Sequence, residues 1–424
     1  MPNLAQLLTT KSSAEYRRVF DLCRAISGEF DDIDAVYVVG GVVRDLILER
    51  APNDIDISVV GNARGFSEAL ASGLGVNSPV ESQFLTFKIN AVDLKLGGSS
   101  IDVVTARSET YSEPAALPEI AVSSISDDLK RRDFTINAMA LSLSNSNWGN
   151  LVDPANGFGD VMRKRIKVLH AGSFVDDPTR IFRAVRYATR LGFSIDSRTS
   201  WLMSESLAYV DRLSGTRIRN EFEQLLGESK RTDMLRMSEE MGLIGAMSPG
   251  LRIGSKALQV LDSQEELGTL STDLTDLLAI ATFGLNEDEA TRVIERFDAP
   301  AEWGESITGN TRLAKHVALL DRPNILPSEL VEILDQIPLA SIRAHIAVGP
   351  PLPRRDKLND YMERIRFIKP DLTGIDLIKA GIPEGPIIGK LICIVKRAKL
   401  DGHVRSRQEE LELALNRLPG FLTN

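Results

Sequence analysis

The segment Val38-Val39-Gly40-Gly41-Val42-Val43-Arg44-Asp45, followed by Pro52-Asn53-Asp54-Ile55-Asp56-Ile57, constrains this chain more than any other stretch. The apolar run at residues 35–39 predicts a buried strand, the Gly40-Gly41 pair a turn out of it, and residues 42–49 an amphipathic helix. Backbone N–H groups at the start of such a helix can hold a phosphate. On the next strand alternate side chains share a face, which sets Asp54 and Asp56 side by side, about 7 Å apart along the chain. Two carboxylates so placed suit Mg2+, a hard cation that takes one or two carboxylates together with substrate phosphate oxygens. Singly, Gly-Gly before a helix is often only a turn and Asp-x-Asp is often chance. Together they point to metal-assisted chemistry on a nucleoside triphosphate. A dinucleotide-binding loop fits less well, because the third glycine of G-x-G-x-x-G is missing and charge stands in its place.

A chain of 424 residues has room for about three domains. Its net charge of -9 argues against a uniformly basic nucleic-acid coat, but the charge is unevenly spread. Residues 341–424 carry 15 Lys+Arg against 10 Asp+Glu, so a basic C-terminal region on an acidic chain can meet a polyanion locally, or simply be a solvated helical surface. Two cysteines far apart, Cys23 and Cys393, give neither a disulfide framework nor a zinc site. Residues 1–18 show no signal-peptide pattern and no apolar run reaches transmembrane length, so a cytoplasmic protein is expected, with no membrane association and no protein partner evident.

Residues 14–28 predict a helix with Tyr16, Val19, Phe20, Cys23 and Ile26 on its apolar face. Strands follow near 35–39, 54–60, 84–90 and 101–105, with a helix near 63–74. Residues 106–127, rich in Ser, Glu, Pro and Ala, read as a long functional or mobile loop, and residues 134–143 as a helix. Beyond about 166 helical periodicity takes over, most clearly at 177–191, 197–210, 218–226 and 232–241, with joints near 248–254, 321–327 and 348–353. The outline is an α/β head on a long helical remainder.

Three further clusters carry chemistry. Asp102, between apolar neighbours in Ile101-Asp102-Val103, is the candidate third carboxylate, as base or additional ligand, since an unpartnered charge there is costly. In Lys130-Arg131-Arg132-Asp133-Phe134-Thr135-Ile136-Asn137 the arginines offer planar donors to phosphate or ribose, Asp133 can fix an arginine in place, and the abrupt change to an apolar run puts the pair at a helix start. In Asp176-Asp177-Pro178-Thr179-Arg180, Asp177 suits an N-cap with Pro178 at the first helical position. Capping does not account for Arg180, Arg183 and Arg186, whose spacing lays guanidinium groups beside Asp177. Cytosine and adenine both present an amino donor beside an unprotonated ring nitrogen, whereas uracil and guanine present a carbonyl beside an N–H. An acceptor-only carboxylate next to a donor-only guanidinium matches the first pair and mismatches the second. Each buried mismatch costs about 1 to 3 kcal/mol.

With these motifs in order, the chain resembles the class II tRNA nucleotidyltransferases (CCA-adding enzymes) and their bacterial poly(A) polymerase relatives. Also similar are Asp153-Pro154 with Gly157 and Asp160, Thr216-Arg217-Ile218 with Glu221-Phe222, and, far downstream, Thr373-Gly374-Ile375-Asp376-Leu377 and Gly381-Ile382-Pro383-Glu384-Gly385-Pro386. The resemblance implies an α+β fold: a nucleotidyltransferase head with a mixed sheet (1–165), then an all-helical neck for base recognition (166–250), body (251–340) and tRNA-binding tail (341–424). It implies that Asp54 and Asp56 bind Mg2+ and that Asp102 is a third acidic position. Gly41, Arg44, Arg132, Arg183 and Arg186, with their motif neighbours Gly40, Asp45, Asp133 and Asn137, would surround the nucleotide, and Asp177 and Arg180 would template its base. Where the family commonly has Glu-Asp, this chain has Asp176-Asp177.

The implied reaction is attack of a tRNA 3′-hydroxyl on the α-phosphate of CTP or ATP, adding CCA and releasing pyrophosphate. Addition of A only shares the same motifs. The loop at 106–127 resembles the element that lets the family switch to ATP and weakens a CC-only reading. Poly(A) synthesis ranks lower because residues 61–74 after the Asp54 strand are not arginine-rich. A catalytically inactive RNA-binding protein has no physical need of adjacent like charges at Asp54 and Asp56. The four histidines, His170, His316, His345 and His403, are scattered and none adjoins an Asp, so no His-Asp phosphohydrolase domain is expected.

Overall fold

The computed structural model describes residues 3–419 except 53, 83, 84, 95, 97–99, 270 and 272, so Asn53 and the first residue of the expected 84–90 strand lie outside it. The chain divides into two compact units, Met1–Glu221 with Glu240–Ala246, and Phe222–Glu239 with Met247–Asn424.

The first unit begins with helices α1 (Ala5–Leu8) and α2 (Ala14–Ile26), and α2 buries the five apolar residues expected of it. The apolar run then forms β1 (Ile33–Val39), the glycine turn leads into α3 (Gly41–Ile47), and β2 (Ile55–Gly61) carries Asp56. Helix α4 (Ala63–Leu74) starts where the Asn62 side chain accepts the Gly65 N–H at 2.8 Å and stops at left-handed Gly75. β3 (Val80–Glu81), β4 (Thr86–Asn90) and β5 (Ser100–Thr105) follow.

Two expectations are corrected in the next stretch. Residues 106–127 are not one long loop: β6 (Arg107–Thr110) and β7 (Glu119–Val122) pair as an antiparallel hairpin, and α5 (Ile125–Lys130) starts before the stretch ends. Residues 134–143 are not a helix: one 3-10 turn, Thr135–Asn137, gives way to β8 (Ala140–Ser142), which pairs with β1. Periodicity cannot separate a short buried helix from a buried strand. Ile136, Ala138, Met139, Ala140, Leu141 and Leu143 are all inaccessible, as in a strand covered on both faces. Consequently Arg131 is the residue that closes α5, so the arginine pair follows a helix end, not a helix start.

β9 (Leu151–Val152) completes a seven-stranded mixed sheet in the order β3-β4-β5-β2-β1-β8-β9, with β2 and β5 parallel. Helix α6 (Gly157–Met162) is capped by Asp153, which accepts the Gly157 and Phe158 N–H groups at 2.6 and 2.9 Å. Buried Asp160 on it accepts from the Thr135 hydroxyl at 2.7 Å, tying the 3-10 turn that carries Asn137 in place. After β10 (Arg165–Ile166) come α7 (Ser173–Asp176) and α8 (Thr179–Leu191). Helix α8 begins one residue later than expected: Pro178 is its cap residue, while the Asp177 carboxylate accepts the Thr179 N–H at 3.1 Å. The remaining helices of this stretch, Ser197–Ser206, Gly215–Gly227 and Arg231–Glu240, match the periodicity within a few residues, except that residues 207–210 belong to a 3-10 turn, Leu207–Arg212.

The described part of the second unit is helical, with breaks between helices at the three expected joints. Leu274–Ala281, Ala301–Lys315 and Leu339–Ala347 pack together, closely enough that a Cβ on Gly309 would stand 2.2 Å from the Ser341 hydroxyl. Separate apolar clusters form around Leu313, Leu334 and Tyr361 and around Leu377, Leu391 and Val395. No described helix is long and apolar enough to cross a membrane.

Candidate active site

Asp54 stands exposed at the bend just before β2, not within the strand, and Asp56 is half-buried at its second position. Burial pushes the Asp56 carboxyl up to about 6; Arg132 opposes this, while Asp102 and Asp54 add to it. A cation would relieve that accumulation of negative charge. Gly40 makes the arrangement possible: its φ is +73°, and a Cβ there would lie 2.6 Å from Arg132 Nη1 and 3.5 Å from Asp56 Oδ2.

Asp102 is the register neighbour of Asp56 across the parallel β2–β5 pair. Its Oδ1 accepts no hydrogen bond and lies 3.7 Å from Lys88 Nζ on β4. Among the described residues no group of three His, Cys, Asp or Glu side chains is gathered as for a metal ion. What stands ready is a carboxylate pair, the donor set that Mg2+ completes with phosphate oxygens.

Buried carboxylates aim the arginines. Asp133 accepts the Phe134 N–H at 2.7 Å, Asn137 Nδ2 at 3.1 Å, and Arg183 Nε and Nη2 at 2.8 and 2.6 Å. Burial works against its charge, but Arg183 and these donors outweigh it and hold the carboxyl below the usual range, while Asp133 pushes Arg183 up. Arg183 also donates to the Tyr187 hydroxyl at 3.0 Å. Asn137 accepts from Arg44 Nη1 at 2.7 Å, and Asp45 takes Arg44 Nε and Nη2 at 2.9 Å each. The sequence suggested Asp133 as the anchor of an arginine, and the arginine it holds comes from α8, fifty residues on. Arg131 and Arg132 are held by Asp128, which is wholly inaccessible.

The expected arginine stripe of α8 is divided among different partners. Arg180 donates to the Ser173 hydroxyl at 2.7 Å and to the Arg131 carbonyl at 2.9 Å, Arg183 serves Asp133, and Arg186 lies 3.9 Å from Glu221. Asp177 Oδ1 accepts from the Thr179 hydroxyl and from Arg217 Nη2, both at 2.7 Å. A cavity of about 590 Å3 joins these groups. Asp54, Asp56, Gly41, Arg44, Asp45, Arg132, Asp133, Asn137, Asp177, Arg180 and Arg183 line it; Gly40, Asp102 and Arg186 are not among its lining residues.

Residues 36–167 match the model of the poly A polymerase head domain. The A-adding tRNA nucleotidyltransferase of Geobacter sulfurreducens is 31% identical over 410 residues, covering 90% of this chain and 45% of that protein. The A-adding tRNA nucleotidyltransferase of Halalkalibacterium halodurans is 31% identical over 387 residues, covering 89% of this chain and 88% of its own length. The chain belongs to the tRNA nucleotidyltransferase family. Its fold matches an apo CCA-adding enzyme at a TM-score of 0.81 and the Thermotoga maritima CCA-adding enzyme complexed with tRNA at 0.74. A CCA-adding enzyme complexed with ATP matches at 0.79. Each is 29% identical and covers 98% of this chain and 99% of the other.

In this nucleotidyltransferase the cavity is also lined by Arg131 of the Arg131-Arg132 pair and by residues that sequence motifs did not single out: Glu109, Tyr111, Tyr187, Arg50 and Arg190. Tyr187 could have been found, standing one helical turn after Arg183 on the same face. Glu109 and Tyr111 could not. They enter through the hairpin, where the Tyr111 hydroxyl donates to Glu109 at 3.0 Å and Glu109 pairs with Arg131 at 2.8 Å. His170 lies 3.8 Å from Asp176, a spatial neighbour that separation in sequence hides.

Proposed function

We propose that this enzyme builds the CCA end of tRNA from CTP and ATP without a nucleic-acid template. The observation that carries the reading is that the carboxylate pair Asp54 and Asp56 and the base-reading pair Asp177 and Arg180 line one cavity, of a volume that suits a single nucleotide. The acceptor's 3′-hydroxyl attacks the α-phosphate and pyrophosphate leaves, so the chain's task is positioning and charge. Asp54 and Asp56 would hold Mg2+, which supplies neutralisation of phosphate charge and a more acidic attacking hydroxyl. Arg44, Arg132 and Arg183, already fixed by buried carboxylates and amides, would meet phosphate and ribose oxygens without further loss of side-chain freedom. Asp102, joined to Asp56 by strand register, acts as the third carboxylate that keeps negative charge at this end of the sheet. Gly40 admits Arg132, and Arg186, on the same helix as Arg183 but outside the cavity lining, would add positive charge near the nucleotide.

Asp177 and Arg180 would accept from and donate to the amino and ring-nitrogen edge of cytosine or adenine and reject uracil and guanine. We assign residues 1–165 to the catalytic head, 166–250 to the neck, 251–340 to the body and 341–424 to the tail. The excess of Lys and Arg at 341–424 supports backbone contact with tRNA. On this reading the protein works in the cytoplasm.

A second reading, addition of the terminal A alone, is favoured by the two relatives at 31% identity, both A-adding enzymes. Purified protein with Mg2+, given tRNA ending before CCA, after C and after CC, and labelled CTP or ATP, separates the two. Addition of C, C and then A, with no use of UTP or GTP, is expected. Extension of the CC-ended tRNA alone replaces this reading by the A-adding one. Arg180→Ala is expected to relax the choice of nucleotide, and unchanged discrimination removes it from the base reader.

A further inference from the structure

The turn of the β6–β7 hairpin, residues 111–118, is held at two points that both lead to the base-reading residues. The Ala115 N–H donates to the Val175 carbonyl at 3.1 Å, two residues before Asp177. The Ala115 carbonyl accepts Arg217 Nη1 at 3.0 Å, and Nη2 of the same guanidinium binds Asp177 Oδ1 at 2.7 Å. Ala115 has a φ of +65°, a conformation that a non-glycine residue holds only when its surroundings over-determine it. On strand β6 of the same hairpin, Glu109 pairs with Arg131, whose carbonyl receives Arg180 Nη2. Both members of the base-reading pair are thus wired to one hairpin.

We propose that Arg217 is a specificity-determining positioning residue, whose forked guanidinium locks the Asp177 carboxylate and the hairpin turn into one arrangement. The inference rests on Asp177 reading the base and adds what orients it. A carboxylate free to rotate can turn either oxygen, or swing a water, toward the base edge. One held along Oδ1 by two side chains presents a fixed acceptor direction, which is what rejection of an N–H-bearing ring position requires. Lysine brings charge, but its donors radiate from one nitrogen and not from a planar two-nitrogen fork, so it cannot hold the carboxylate and the carbonyl in the same geometry.

The test measures kcat/KM for ATP against GTP and for CTP against UTP in the native protein, Arg217→Ala, Arg217→Lys and Asp177→Ala. Thermal melting and hydrogen exchange of the Ala115 and Ala116 amides accompany it. Arg217→Ala is expected to lower the discrimination ratios about 10- to 100-fold, the value of a charge-assisted contact, and to speed exchange at the hairpin turn. Arg217→Lys is expected to restore less than half of the lost discrimination on a logarithmic scale and none of the protection. A purely structural role would lower the melting temperature while leaving the ratios fixed, and that result overturns the proposal. So does full restoration by lysine, which would show that charge suffices. If Arg217→Ala leaves the ratios fixed while Asp177→Ala changes them, the base-reader reading survives and the proposal alone fails. Fixed ratios in Asp177→Ala bring down both.

Discussion

Asp133→Asn is the most informative single change, because it preserves shape while removing the charge around which the arginines are arranged. The asparagine Oδ1 can still accept from the Phe134 N–H and the Asn137 amide, but its Nδ2 would face the two Arg183 donors now bound at 2.8 and 2.6 Å. Removing one partner of a buried ion pair costs about 3 to 5 kcal/mol. The Arg183 side chain retains 38% exposure, so water takes up part of that loss and about 2 to 3 kcal/mol is expected. For a unit of this size that lowers the melting transition by roughly 4 to 12 °C. The Asp133 carboxyl is held below its usual range in the fold, so its contribution is complete above about pH 4 and fades as pH falls through the lowered value. Denaturant unfolding of the native protein, Asp133→Asn, Arg183→Gln and the double variant would give the coupling energy. A coupling below about 0.5 kcal/mol, or a penalty undiminished at pH 3, would refute the claim that this pair organises the site.

The other predictions concern separate parts of the molecule. Asp56→Ala should lower nucleotide incorporation by roughly three orders of magnitude or more while leaving tRNA binding in a filter assay near native, and retained turnover would remove Asp56 from the reaction centre. Gly40→Ala, at φ +73° with Arg132 Nη1 in the way, should cost about 1 to 3 kcal/mol and raise the nucleotide KM, whereas native melting and kinetics would show that the close approach is not required. In the second unit burial pushes His345 down to about 4, so the unfolded chain takes up the proton first as pH falls below about 6.5. Stability should drop by about 2 kcal/mol between pH 7.5 and 5, and His345→Phe should abolish that dependence; an unchanged pH profile in the variant would assign it elsewhere.

Much of the candidate site is legible in the chain because its signals are local. The glycine turn, the Asp-x-Asp spacing and the Asp177–Arg180 helix start each depend on residues within a few positions of one another. Three features were not local. Strand β8 hides in an apolar run that suits helix and strand alike, and only its place beside β1, sealed on both faces, decides for strand. The hairpin at 107–122 has two four-residue strands with little alternation and two prolines in the turn between them, so cross-strand pairing makes them strands. Asp128 looks like a surface residue on a short helix; its two arginines are three and four residues on, but its complete burial comes only from the fold.

The sequence by itself determined which chemical groups are available: a carboxylate pair, arginines with fixed positive charge, and an acceptor beside a donor suited to one type of base edge. Tertiary structure alone decided which charge meets which. Asp133 belongs to Arg183 rather than to its neighbours in sequence, and Arg217 joins Asp177 to the hairpin. The physical reason is that composition and spacing fix the sign and type of a group. The partner that a buried charge must find is whichever one the fold carries within about 3 Å, and that distance is set by the packing of sheet and helices far apart in the chain.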